Sequence, residues 1–112
     1  MSISNSSFTY SSFALEKETY YLNRAQKTVD SLVKAYEEKA DLLKLTPQSK
    51  QALTERIQDL ANHILLSKVP KMCTRGDDDH QILQEISRDR FNLECDAERF
   101  IKENGIFQAA SL

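Results

Sequence analysis

The chain has 112 residues, 40% hydrophobic and 29% charged, with only two Gly, two Pro and a formal charge of −2. That is one domain at most, with a balance that leans toward helix. It lacks the basic excess by which nucleic-acid binders displace counterions. No apolar run approaches the roughly 18 residues of a membrane span, and no charged segment followed by an apolar core marks a cleavable signal. The expected location is therefore cytoplasmic, with export without a cleaved signal as the variant.

Residues 1–12 hold six serines and no charge, the composition of a disordered arm. In composition the arm resembles the uncleaved, Ser-rich starts of bacterial type III secretion substrates. From Phe13 to Leu45 the sequence predicts one long helix. Leu15, Leu22, Val29, Tyr36 and Leu43 recur every seven residues, with Ala25, Leu32, Val33 and Ala40 between them, an apolar seam that must be buried against other segments or a second chain. Five of the nine aromatics, Phe8, Tyr10, Phe13, Tyr20 and Tyr21, lie in the first 21 residues. Tyr20 and Tyr21 cannot both face the seam, so Phe13, Tyr20 and Tyr21 are candidate partner-binding residues.

Thr46-Pro47 predicts the start of a second helix, Thr as N-cap and Pro in the first turn. Leu53, Ile57, Leu60 and Ile64 form its four-three-four stripe, beside Ala61 and Leu65, and the short turn makes an antiparallel hairpin. The helix is expected to fail near Lys68–Val69, ahead of Pro70, leaving 69–76 as a linker. Three aspartates, 77 to 79, open a third helix, with capping-box spacing between Asp78 and Gln81. Its stripe is Leu83, Ile86, Leu93, Ala97 and Phe100, widened by Ile82, Phe91 and Ile101. Arg90 occupies a stripe place where Leu is expected, as a snorkelling side chain or as a polar device fixing register or partner choice; it is the fourth candidate partner-binding residue. Asn104-Gly105 is expected to end the helix in a Schellman motif with Ile106. Residues 77–103 carry nine acids and four bases, and residues 13–75 eight acids and eleven bases, so docking of the third helix is electrostatically favourable.

The expected architecture is all-α: a disordered arm (1–12), a three-helix domain (13–106) formed by a long antiparallel hairpin plus a third helix as a bundle or coiled coil, and a tail (107–112). Arg75-Gly76-Asp77 matches an integrin-binding tripeptide but also reads as a helix boundary. His63, Cys73, His80 and Cys95 include zinc-ligand types without the close spacing of a structural zinc site, and Asp77, Asp78, Asp79 and His80 lack the alternation of a calcium loop. Both cysteines read as reduced packing residues. No catalytic, metal or cofactor set is expected. The expected function is a small protein-interaction module, an adaptor, chaperone, inhibitor or regulator, in the leading case of a bacterial secretion system, with a protein partner or a second copy. As an enzyme, the three helices are similar to the all-helical chorismate mutases. That resemblance implies a dicarboxylate held inside the bundle by Arg and Lys, notably from the long first helix. Here Lys17, Arg24, Lys27 and Lys34 fall away from the seam and Lys39 only borders it.

Overall fold

The computed structural model describes residues 2–110, with side chains from 15 to 104. Its elements are α1 (Ser2–Leu42), α2 (Pro47–Ala61), a π turn (Asn62–Leu66), α3 (Lys68–Arg75) and α4 (Asp79–Ala110), and no strand occurs among the described residues. The segments α2, π turn and α3 run on as one rod, so the chain makes three rods. Lys50 pairs with Asp41 across the first turn, and Arg56 and Lys68 pair with Asp96 and Asp89. As residue number rises along the second rod it falls along α4, so the second rod is antiparallel to both neighbours. Lys17 donates to the Asp77 carbonyl at 2.7 Å, Tyr36 to that of Glu94 at 3.4 Å, and Lys39 pairs with Glu98. Hence α1 and α4 lie parallel.

One core joins all three rods: Tyr21, Ala25, Val29, Leu32, Tyr36 and Ala40 from α1; Leu53, Ile57, Ala61, Leu65, Val69, Met72 and Cys73 from the second rod; Ile82, Ile86, Leu93, Ala97 and Ile101 from α4. Three cross-rod ion-pair sets, Lys39–Glu98, Arg56–Asp96 and Lys68 with Glu85 and Asp89, all place the base on the hairpin and the acid on α4. The opposite net charges of these segments meet as expected. Exposed pairs contribute only about 0–1 kcal/mol each, so the apolar stripes carry most of the docking.

The ends of the expected seam are corrected. Leu15 is 58% exposed and Leu43 47%, because Lys17 already stands level with the α3–α4 turn and Leu43 lies beyond the end of α1. The helical backbone reaches back to Ser2, across most of the span expected as a disordered arm, whose side chains lie outside the described residues. At the other end α4 continues past Asn104-Gly105 to Ala110. The sequence signal for a stop there is overridden at a cost of about 1 kcal/mol for an interior glycine. The side chains of Ile106 and Phe107 lie outside the described residues.

The second rod departs most from expectation. Residues 69–76 are not a linker: Val69, Met72 and Cys73 are core residues of α3. The buried positions Leu53, Ile57, Ala61, Leu65 and Val69 repeat every four residues. On an uninterrupted α-helix four such steps drift by about 160°. The π turn takes up the extra residue and returns Leu65 and Val69 to the core side. Ser67 N–H bonds to the Asn62 carbonyl at 3.1 Å, five residues back, and the Ser67 hydroxyl donates to the His63 carbonyl at 2.6 Å. Pro70 then falls in the first turn of α3, where a missing N–H costs nothing. Leu60 and Ile64, expected in the stripe, pack partly buried at its side.

The caps follow local chemistry. Ser49 N–H donates to Thr46 Oγ1 at 3.1 Å, and Asp78 and Gln81 exchange the two bonds of a capping box at 2.8 and 3.0 Å. Gly76, φ +86°, closes α3 in a Schellman motif, Asp77 N–H on the Met72 carbonyl and Gly76 N–H on that of Cys73. The same paired bonds end α1, Leu45 to Ala40 and Lys44 to Asp41, but with Lys44 at φ +59°. Lys44→Gly should therefore raise stability by about 0.5–1 kcal/mol. Gly76→Ala, where a Cβ meets nothing within 4 Å, should lose about 1 kcal/mol through backbone strain alone. Urea midpoints at constant slope measure both; no gain from Lys44→Gly contradicts strain at that cap.

Candidate partner-binding surface

The four candidate residues do not share one environment. Tyr21 is 4% exposed, and its ring meets that of Tyr20 edge to face at 4.9 Å between centroids. Tyr20 is 57% exposed and lines a shallow hollow with Leu15, Glu16 and Thr19. As expected, the two tyrosines do not both face the seam: Tyr21 is a core residue and Tyr20 is exposed. The side chain of Phe13 lies outside the described residues.

Burial, and then the Asp79 carboxylate beside it, push the Tyr21 hydroxyl to about 12. Burial, and then Glu98 and Glu94, push Tyr36 to about 12 as well. Both groups stay protonated in the folded chain above the ordinary value of about 10. Their contribution to stability is complete below pH 10 and is lost as pH rises through 12. Ultraviolet tyrosinate absorbance should show two of the four tyrosines ionising late, together with loss of helicity, and Tyr21→Phe with Tyr36→Phe should remove that step. Ionisation of all four near pH 10 in a helical chain contradicts the burial of these rings.

Arg90 is not in the apolar stripe. Its side chain is half exposed and its Nε lies 3.2 Å from Glu94 one turn on. The polar residue in the stripe is Asp89, 3% exposed. Ile86 and Leu93 are seven apart, and the place between them is filled equally well at +3 or +4. The packing chooses +3. Asp89 accepts from Lys68 Nζ at 2.9 Å, and Lys68 also reaches Glu85 at 3.2 Å. Burial lowers the Lys68 pKa, but hydrogen bonds to Asp89 and Glu85 outweigh it and leave the ammonium raised. Phe91, expected to widen the stripe, turns outward and is 64% exposed. The signal for Asp89 is its four-three-four fit with Ile82, Ile86 and Leu93, which an acid at that place obscures.

Arg90 instead meets residues from α1. With Arg24, Lys27, Thr28 and Ser31 it lines an open groove of about 280 Å³ between the parallel helices α1 and α4. Tyr20, Arg24, Lys27 and Ser31 follow four-three-four spacing, and all four are exposed. Two of the cations that fall away from the seam by sequence, Arg24 and Lys27, are therefore gathered on the surface with Arg90. Among the described residues the buried charged side chain is Asp89, a carboxylate.

A second groove of about 500 Å³ lies between α2 and α4, lined by Ala52, Arg56, Leu60, His63, Asp96 and Phe100 among others. Its cation Arg56 is already paired, and Glu55 and Asp59 add further acids to the lining. Arg56 donates from Nε and Nη2 to Asp96 at 2.7 and 2.9 Å and stands 5.9 Å over the Phe100 ring. That fork holds the Asp96 carboxyl below its ordinary range. No group of three potential metal ligands occurs among the described residues. Cys73 is buried, where desolvation raises its thiol pKa, and Cys95 is exposed. Arg75 and Asp77 of the tripeptide bond to each other at 2.9 Å around the Gly76 cap.

Fold and surface together define a class: an all-helical protein of three rods around one core, with an exposed apolar hollow and a separate cationic groove, both lined by α1. None of its described helices is long and apolar enough to cross a membrane. No family model, curated protein or solved structure matches the chain.

Proposed function

We propose that the chain is a helical protein-interaction module, an adaptor, chaperone or regulator that binds its partner by coiled-coil-type packing along α1. The observation that carries this reading is the exposure of Leu15, where α1 runs past the α3–α4 turn, and of Tyr20 on the outward side of the same helix. A helix that continues beyond its own core with large apolar side chains in water is favourable to cover, at roughly 25 cal/mol per Å² removed. Aromatics with a polar tip suit such contacts. The second rod and α4 cover the inner side of α1 from Tyr21 onward, and Leu15 and Tyr20 lie outside that cover.

The test compares the full chain with Leu15→Ser/Tyr20→Ser in quantitative affinity capture and in sedimentation over a range of concentrations. One protein recovered near equimolar by the parent and lost by the double variant, with helicity unchanged, supports the reading. A concentration-dependent dimer abolished by the same changes makes the partner a second copy. Equal behaviour of parent and variant removes this end of α1 as a contact.

A further inference from the structure

We propose that the groove between α1 and α4 receives the acidic face of a partner helix, whose carboxylates are held by Arg24, Lys27 and Arg90. This rests on the reading of the chain as a partner-binding module and names the chemistry of the partner. Between Tyr20 and Tyr36, α1 carries Arg24, Lys27 and Lys34 against one acid, Asp30, in a chain of net charge −2. Asp30 is engaged by Gln26 at 2.9 Å. Among the described residues neither Arg24 nor Lys27 is paired with an acid. The Arg90–Glu94 contact is an exposed pair within one helix, screened by water, and exchanges readily for a better acceptor.

The layout favours a helix over a small anion. Arg24, Lys27 and Ser31 extend along about 10 Å of α1, a row that matches carboxylates one turn apart on a second helix. The groove is open along its length, and the Thr28 hydroxyl is committed to the Arg24 carbonyl at 3.0 Å, so the cations do not converge with a ring of free donors on one point. Guanidinium forks suit carboxylates, and the positive strip steers an acidic partner onto the same helix as Tyr20.

The experiment is an NMR titration of the full chain with a synthetic amphipathic peptide of about 20 residues bearing Glu at successive turns. The same peptide with Gln for Glu, and inorganic phosphate, serve as controls. Backbone amides from Tyr20 to Ser31 and around Arg90 should shift with the Glu peptide alone. Arg24→Glu/Lys27→Glu should weaken binding about tenfold or more at unchanged helicity, and added salt should weaken the parent. Equal binding of the Gln peptide, the same shifts from phosphate, or an unaffected charge-reversed variant overturns the proposal. Capture with the charge-reversed chain separates it from the broader reading. A partner kept by Arg24→Glu/Lys27→Glu but lost by Leu15→Ser/Tyr20→Ser overturns the acidic-helix assignment while the module stands. A Glu-specific response without any stoichiometric partner supports the groove and removes the module.

Discussion

Lys68→Met should destabilise the chain by about 2–3 kcal/mol, while Asp89→Leu should cost far less, and the double variant should recover most of the loss. Asp89 is almost wholly buried in the α4 stripe, and Lys68 is its direct cation. Removing the base leaves a carboxylate in the core with no charged partner, and such breaks usually cost about 3–5 kcal/mol. The lower figure follows because Lys68 is itself about one-third exposed, so part of its interaction is screened. Removing the acid leaves an ammonium that keeps Glu85 at 3.2 Å and can reach water. Leucine at 89 completes the run Ile82, Ile86, Leu93, Ala97. Urea unfolding of the two single variants and the double gives the coupling directly. Equal losses in both singles that simply add contradict a shared buried pair.

Leu65→Ala should cost about 3 kcal/mol, and its neighbour Ile64→Ala about 1 kcal/mol. Leu65 is fully buried in the core, whereas Ile64 packs at its side. An α-helix carried straight through residues 62–66 puts Ile64 on the stripe of Leu53, Ile57 and Leu60 and reverses the order. The comparison therefore tests the π turn itself. Removal of His63 should be tolerated better than removal of a residue in mid-α2, because losing one residue returns the wide turn to an α-helical one without rotating α3. Thermal or urea unfolding with far-ultraviolet dichroism measures all four variants. A larger loss from Ile64→Ala places the second rod in the α-helical register.

Much of the fold is legible in the residues because it depends on short-range chemistry. Thr46-Pro47, Asp78 with Gln81, and Gly76 act on backbone groups within a few positions of themselves. The stripe Ala25, Val29, Leu32, Tyr36 and Ala40 follows from the period of one helix. The opposite charges of α4 and the hairpin follow from counting. The cationic groove is only half visible: Arg24 and Lys27 stand off the seam by spacing, but nothing local brings Arg90 to them.

What the tertiary structure decides is which of two near-equal helical registers is buried. Arg90 or Asp89, Ile64 or Leu65, and Tyr20 or Tyr21 are adjacent pairs that differ by 100° around a helix, within the width of an apolar stripe. The choice depends on neighbouring rods that lie far away in sequence. Lys68 selects Asp89 from 21 residues away, and the packing of Leu65, Val69 and Met72 against α1 and α4 makes a π turn and a helix of what Pro70 marks as a break. By itself the sequence determined helix, the caps at Thr46, Gly76 and Asp78, and the charge division, because these follow from the local chain and its composition. Where the core ends along α1, and so which of its side chains stay exposed, was decided only when the three rods were laid against one another.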